Sequence, residues 1–163
     1  MKITDLLSLD DFIRSVVEAM PGIDYYLPLS NGEKAVDEIS GYYTNDYQGT
    51  TAFLQVAEAM RKNDLITFQC SLTIATKPAN VSARAGLEAR NLTLKLIMDL
   101  LGRLDLAADA AIQSVEDQSD MYDLVIEPVD RIFPIGMLAN VNLEGHYVDL
   151  DVTVPATHLL FPA

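Results

Sequence analysis

The sequence predicts an α+β fold: a mostly antiparallel sheet made of two hairpins, packed by one long helix, with a short helix at the N-terminus. Three stretches predict it. Over Leu65–Thr76, Ile66, Phe68, Cys70, Leu72 and Ile74 alternate with Thr67, Gln69, Ser71, Thr73 and Ala75, the period of a strand buried on one face. Leu87, Leu94, Ile97, Met98, Leu101 and Leu104 then recur three, four and seven apart, which in an α-helix gathers them into one apolar stripe. In a last strand run, Ala139–Val154, Val148, Leu150, Val152 and Val154 again alternate with polar residues. At 163 residues, half of them hydrophobic, the chain fits one domain with a core of its own.

Taken in order, Ser8 is a good N-cap, with Asp10 and Asp11 in the first turn where negative charge favours a helix, and Leu9, Phe12, Ile13, Val16 and Val17 share one face. Pro21-Gly22 ends that helix. Residues 22–49 change character and read as an insert or arm: Tyr25, Tyr26, Tyr42, Tyr43 and Tyr47, five of the seven tyrosines, sit among Asn, Ser, Gly and Asp. Ile23–Ser30 and Lys34–Tyr43 are expected to pair as a hairpin about Asn31-Gly32, a dipeptide suited to the positive φ of a tight turn. Thr51–Met60 fits two patterns, since Phe53, Val56, Ala57 and Met60 have helical spacing while Leu54 and Val56 flank Gln55 as in a strand. The strand is preferred, because Leu65–Thr76 needs a neighbour for its backbone groups and this is the nearest one.

The long helix is read from Arg84 to Leu104, with alanine-rich residues 106–118 continuing it after a bend near Gly102 or Asp105. Tyr122–Val129 reads as a strand closed by Pro128, and residues 130–138, with Pro134 and Gly136, as a loop. The last strand changes phase, with Val141 and Leu143 at odd positions and the later valines at even ones. A β-bulge at Glu144-Gly145-His146 would return both halves to one face.

A formal net charge of −13 argues against direct binding to nucleic acid or to an anionic membrane, and no apolar run approaches the roughly 20 residues of a membrane span. The N-terminus lacks a basic region followed by an apolar run, so the expectation is a protein that stays inside its cell. The single cysteine, Cys70, excludes a disulfide framework or a multi-thiolate centre and reads as a buried hydrophobe on the apolar face of its strand. Neither G-x-G-x-x-G nor a Walker loop occurs. His146 and His158 show no metal spacing. Asp149 and Asp151 form a D-x-D pair that could hold a divalent cation with Glu144 or Asp123, but they alternate with valine and leucine and read as the solvent face of a half-buried strand. The expectation is therefore a non-enzymatic protein with no catalytic residues, no cofactor and no metal. The tyrosine cluster is the exception, because tyrosine set among Ser, Gly and Asn gives amphipathic contact area at low entropic cost. Tyr25, Tyr26, Tyr42, Tyr43 and Tyr47 are thus candidate interface residues, the alternative being that they cover the edge of the core.

Ile66-Thr-Phe-Gln-Cys-Ser-Leu-Thr-Ile, running through Lys77-Pro78 into the Arg84–Leu104 helix, together with the closing Ala139–Val154 strand, resembles the hairpin, helix and final strand of tail-terminator-like proteins. The likeness covers roughly Thr50 to Val154. It implies an α+β subunit of a phage or prophage tail or head-tail ring, present in the cytoplasm during assembly and then in the virion. Its implied partners are copies of itself or other virion proteins. Acidity suits such a ring, since a negative wall keeps a passing duplex from adhering. Two other classes stay open: a soluble acidic adaptor that grips a protein partner through the tyrosine segment, and a small metal-dependent enzyme using Asp149 and Asp151.

Overall fold

The computed structural model describes residues 3–29, 34–43, 49–113, 124–135 and 142–155. The elements run α1 (Leu6–Glu18), β1 (Tyr25–Pro28), α2 (Lys34–Tyr43), β2 (Thr51–Lys62), β3 (Leu65–Thr76), α3 (Ala83–Gln113), β4 (Val125–Pro134) and β5 (Glu144–Pro155). The fold is α+β, with one sheet in the order β1-β2-β3-β5-β4 and α3 packed on it. All strand pairs are antiparallel except β1 with β2.

That parallel pair overturns the expected hairpin about Asn31-Gly32, a dipeptide that lies outside the described residues. Lys34–Tyr43 is a helix, and it lies in the connection between β1 and β2. Parallel neighbours require a long crossover, and a helix usually supplies it. Ile39 and Tyr43, four apart, give α2 a buried face. Asp24 fixes the start of the pair: its carboxylate accepts from the Thr50 N–H at 2.7 Å while its own N–H donates to the Thr50 carbonyl at 2.8 Å.

α1 begins earlier than its sequence implied. Asp5, not Ser8, is the N-cap; its carboxylate accepts from the Ser8 N–H at 2.8 Å, and the Ser8 hydroxyl returns to the Asp5 N–H at 3.0 Å. This reciprocal capping box satisfies two otherwise orphaned donors. Thr51–Met60 is strand as preferred, extended to Lys62 with a bulge between Val56 and Glu58. α3 runs unbroken through Gly102 and Asp105 as far as Gln113; residues 114–118 lie outside the described set.

β4 continues through Pro128 to Pro134, where a loop was expected. Among the described residues β4 is the outer strand and pairs only with β5, so a residue without an N–H is tolerated along its open side. The register of β4 on β5 shifts between Pro128 and Ile132.

The expected bulge at Glu144–His146 is absent. Gly145 pairs with Ala75 and His146 with Ile74 in unbroken register. The phase change has another cause: the sheet has two buried faces. One holds the main core, where Phe68, Leu72, Val148, Leu150, Val152 and Val154 meet α1 and α3. The other is a smaller core where Leu143, Phe53 and Ala75 pack under Ile39 and Tyr43 of α2. Leu143 and the later valines are out of phase because they serve different cores. Val141 is outside the described residues.

Candidate functional site

The structure separates the five tyrosines. Tyr26 is 7% exposed; its hydroxyl donates to the Asp10 carboxylate at 2.6 Å, and Arg14 lies 5.0 Å over its ring while bonding the same carboxylate at 2.8 Å. Burial, reinforced by that bond, pushes the Tyr26 hydroxyl well above its ordinary pKa, so it remains a proton donor. Tyr43 is fully buried and donates to the Ala75 carbonyl at 2.9 Å. Tyr42 is half-buried, edge-on to Tyr43 and Phe53 at 5.4 and 6.1 Å. Tyr25 is 53% exposed, and Tyr47 lies outside the described residues. The segment therefore turns Tyr26 and Tyr43 inward, and Tyr25 and Tyr42 carry the outward-facing ring surface among those described.

Asp149 and Asp151 lie on the sheet face not covered by α1 and α3, opposite Ser71 and Gln69 of β3. With Gln55 they border a hollow of about 500 Å3. No three His, Cys, Asp or Glu side chains converge to hold a metal ion among the described residues. Glu144 supplies no third ligand there, because it is committed to Arg90 on α3. Asp123 and His158 are outside the described set.

Glu144 belongs to a buried polar cluster that fastens the N-terminal half of α3 to β5. Arg90 grips its carboxylate with two bonds of 2.6 and 3.0 Å, and the Thr93 hydroxyl meets His146 Nδ1 at 2.9 Å. Gly86 keeps α3 close, since a Cβ there would sit 3.3 Å from Glu144 Oε1. Burial lowers the His146 pKa, Arg90 lowers it further, and Glu144 opposes them. The unfolded chain then binds this proton more readily than the folded one. The resulting stability is complete above the unfolded histidine value near 6.5 and falls as pH drops below it. Urea titrations between pH 7 and 5 should show declining stability in the wild type and a flatter profile in His146→Gln; equal slopes would assign the effect elsewhere.

α3 also carries a second apolar stripe. Its buried face is Ala85, Ala89, Thr93, Leu96, Leu100, Leu104, Ala108 and Ala111, spaced three or four apart, with Ile97 beside them. Leu87 and Met98 of the expected core stripe are instead 62% and 59% exposed, and Leu94 and Leu101 are only partly buried at the margin of the core. The buried face carries Leu96, Ile97, Leu100 and Leu104 in its middle and alanines toward its ends, and Leu87 and Met98 fall outside that arc. The stripe looks away from the flank where Leu96 closes on Gly22, just after α1. Leu87 borders a hollow of about 380 Å3 shared with Pro78, Ser82 and Arg90. On the α1 and β1 side, exposed Leu6 and Leu7 border a hollow of about 370 Å3 with Pro28, Leu29, Leu54 and Val56. Reading α3 from its Leu87–Leu104 stripe missed this surface; extending the pattern through Ala85, Ala89, Leu96 and Leu100 was the signal that could have found it.

No described helix is long and apolar enough to cross a membrane. No family model matches the chain, and no curated protein matches it.

Proposed function

We propose that the chain is a non-enzymatic phage or prophage structural protein, a subunit of a tail or head-tail ring, the role that the tail-terminator-like likeness implies. The observation that carries this reading is the apolar stripe beside the buried face of α3, where Leu87 and Met98 are exposed and Leu94 and Leu101 are only partly buried. Exposed apolar patches of this kind mark interaction sites. A second patch, around Leu6 and Leu7, occupies the α1 side of the molecule. Two unlike patches on one subunit suit a head-to-tail contact, which closes into a ring when its rotation permits. The open sheet face carries Glu58, Glu127, Asp149 and Asp151, with Lys62 at its β2 end, and this excess of acid suits passing DNA without binding it.

Met98→Asp, or Leu87→Asp, should weaken self-association at least tenfold in sedimentation velocity while leaving the thermal melt of the subunit unchanged, because both side chains are exposed. A wild-type chain that stays monomeric at every concentration, with these variants indistinguishable from it, would sink the ring reading and favour the adaptor.

A further inference from the structure

Toward the β2–β3 turn, β3 and β5 stay in the main core through Phe68, Val152 and Val154, but β2 is exposed on both faces. Ala59 and Arg61, on the face α1 and α3 occupy elsewhere, are exposed, as are Glu58, Met60 and Lys62 on the opposite face. β1 pairs with β2 only over Thr51–Leu54, and its last bond runs from the Leu29 N–H to the Leu54 carbonyl at 2.7 Å. From Gln55 to Lys62, therefore, the described residues place a partner strand on one edge of β2 alone. Such an edge presents free backbone donors and acceptors to any extended chain.

Its side chains identify the occupant. After the bulge, Glu58, Met60 and Lys62 project from one face, with Met60 45% exposed. Among the described residues no ion pair engages Glu58 or Lys62. Read backwards, the order acid, methionine, base becomes base, methionine, acid. An antiparallel copy centred on Met60 thus sets each Glu58 opposite a lysine, and methionine against methionine. Sliding the register by two residues one way puts Glu58 opposite Met60; sliding it the other way puts Glu58 opposite Asp64. An edge guarded only by repulsion would carry one sign of charge, whereas this one is complementary to itself.

We propose that β2 is a two-fold self-association strand, on which β2 of a second copy pairs antiparallel about Met60 and joins the two sheets edge to edge. This contact is isologous and independent of the α3 stripe, so it links subunits in pairs whether or not a ring closes.

Opposed residues in an antiparallel pair have Cα atoms about 4.5–5.5 Å apart, within the span of a disulfide. Met60→Cys in the full chain should therefore oxidise to a covalent dimer, since the sole native cysteine, Cys70, is buried. Adding Glu58→Lys, or Lys62→Glu, places like charges opposite one another twice per interface and should cut the cross-linking rate at least tenfold. The double exchange Glu58→Lys with Lys62→Glu should restore it. A Met60→Cys chain that stays monomeric on oxidation, or one that cross-links equally well in all four charge backgrounds, overturns the proposal. Association that responds to Met98→Asp but not to these charges would support the α3 contact alone, so the two readings fail separately.

Discussion

Replacing Tyr43 by alanine should lower stability by about 3–5 kcal/mol, the range for truncating a buried aromatic side chain. Its ring fills the smaller core beneath α2, beside Phe53, Ala75 and Leu143, where no helix from the opposite face can reach. Its hydroxyl also satisfies the Ala75 carbonyl. Tyr43→Phe keeps the ring and removes that bond, so it should cost only about 1 kcal/mol. Tyr25→Ala, at an exposed position, should fall within about 0.5 kcal/mol of wild type. Urea melts of the three variants resolve these values. A Tyr43→Ala chain that remains as stable as wild type but loses self-association would return this tyrosine to an interface.

The contrast between Tyr43 and Tyr25 marks the limit of what could be read from sequence. Local rules carried far: Leu65–Thr76 appears with its predicted bounds, because a one-sided alternation has only one way to meet a core. Phe68, Leu72 and Ile97 are buried as the facing periodicities required. Two of the failures came from assuming a single core. The tyrosine segment reads as a polar hairpin only if nothing waits on the other face of the sheet; with α2 there, the same residues form a crossover and a lid for Phe53. The phase change at Leu143 calls for a bulge only if both halves of β5 must face the same way. On α3 the expected stripe centred on Leu94, Met98 and Leu101, yet the buried arc runs through Ala85, Ala89, Leu96, Ile97, Leu100 and Leu104, and which arc meets the strands is a tertiary quantity. The candidate assembly surface was therefore present in the sequence as a list of residues, but its exposure was not.

Gly145→Val should be the most damaging single substitution on β5, and its reason is space, not backbone conformation. Among the described glycines only Gly22 has a positive φ, +90°, so Gly145 needs no left-handed freedom. It needs the missing side chain. A Cβ at this position would overlap the Ile74 carbonyl oxygen, lie 2.8 Å from Ile135 Cδ1 and stand 3.0 Å from Ala75 Cα. Two of those three obstacles are backbone of β3, which is held by pairing on both sides and cannot swing away as a side chain end could. Overpacking a yielding site costs about 1–3 kcal/mol; here the cost should reach or exceed the upper end of that range. Even Gly145→Ala should be strongly destabilising, which separates the steric account from any dependence on valine's branching. Gly102→Ala is the control: no atom lies within 4 Å of a Cβ there, and alanine in a helix interior is favoured over glycine by about 0.5–1 kcal/mol. The expected result in thermal melts is therefore opposite shifts from two glycine-to-alanine changes. If Gly145→Ala melts with the wild type, β3 and β5 are not as close at this point as their register requires, and the joint between the two cores must be built differently.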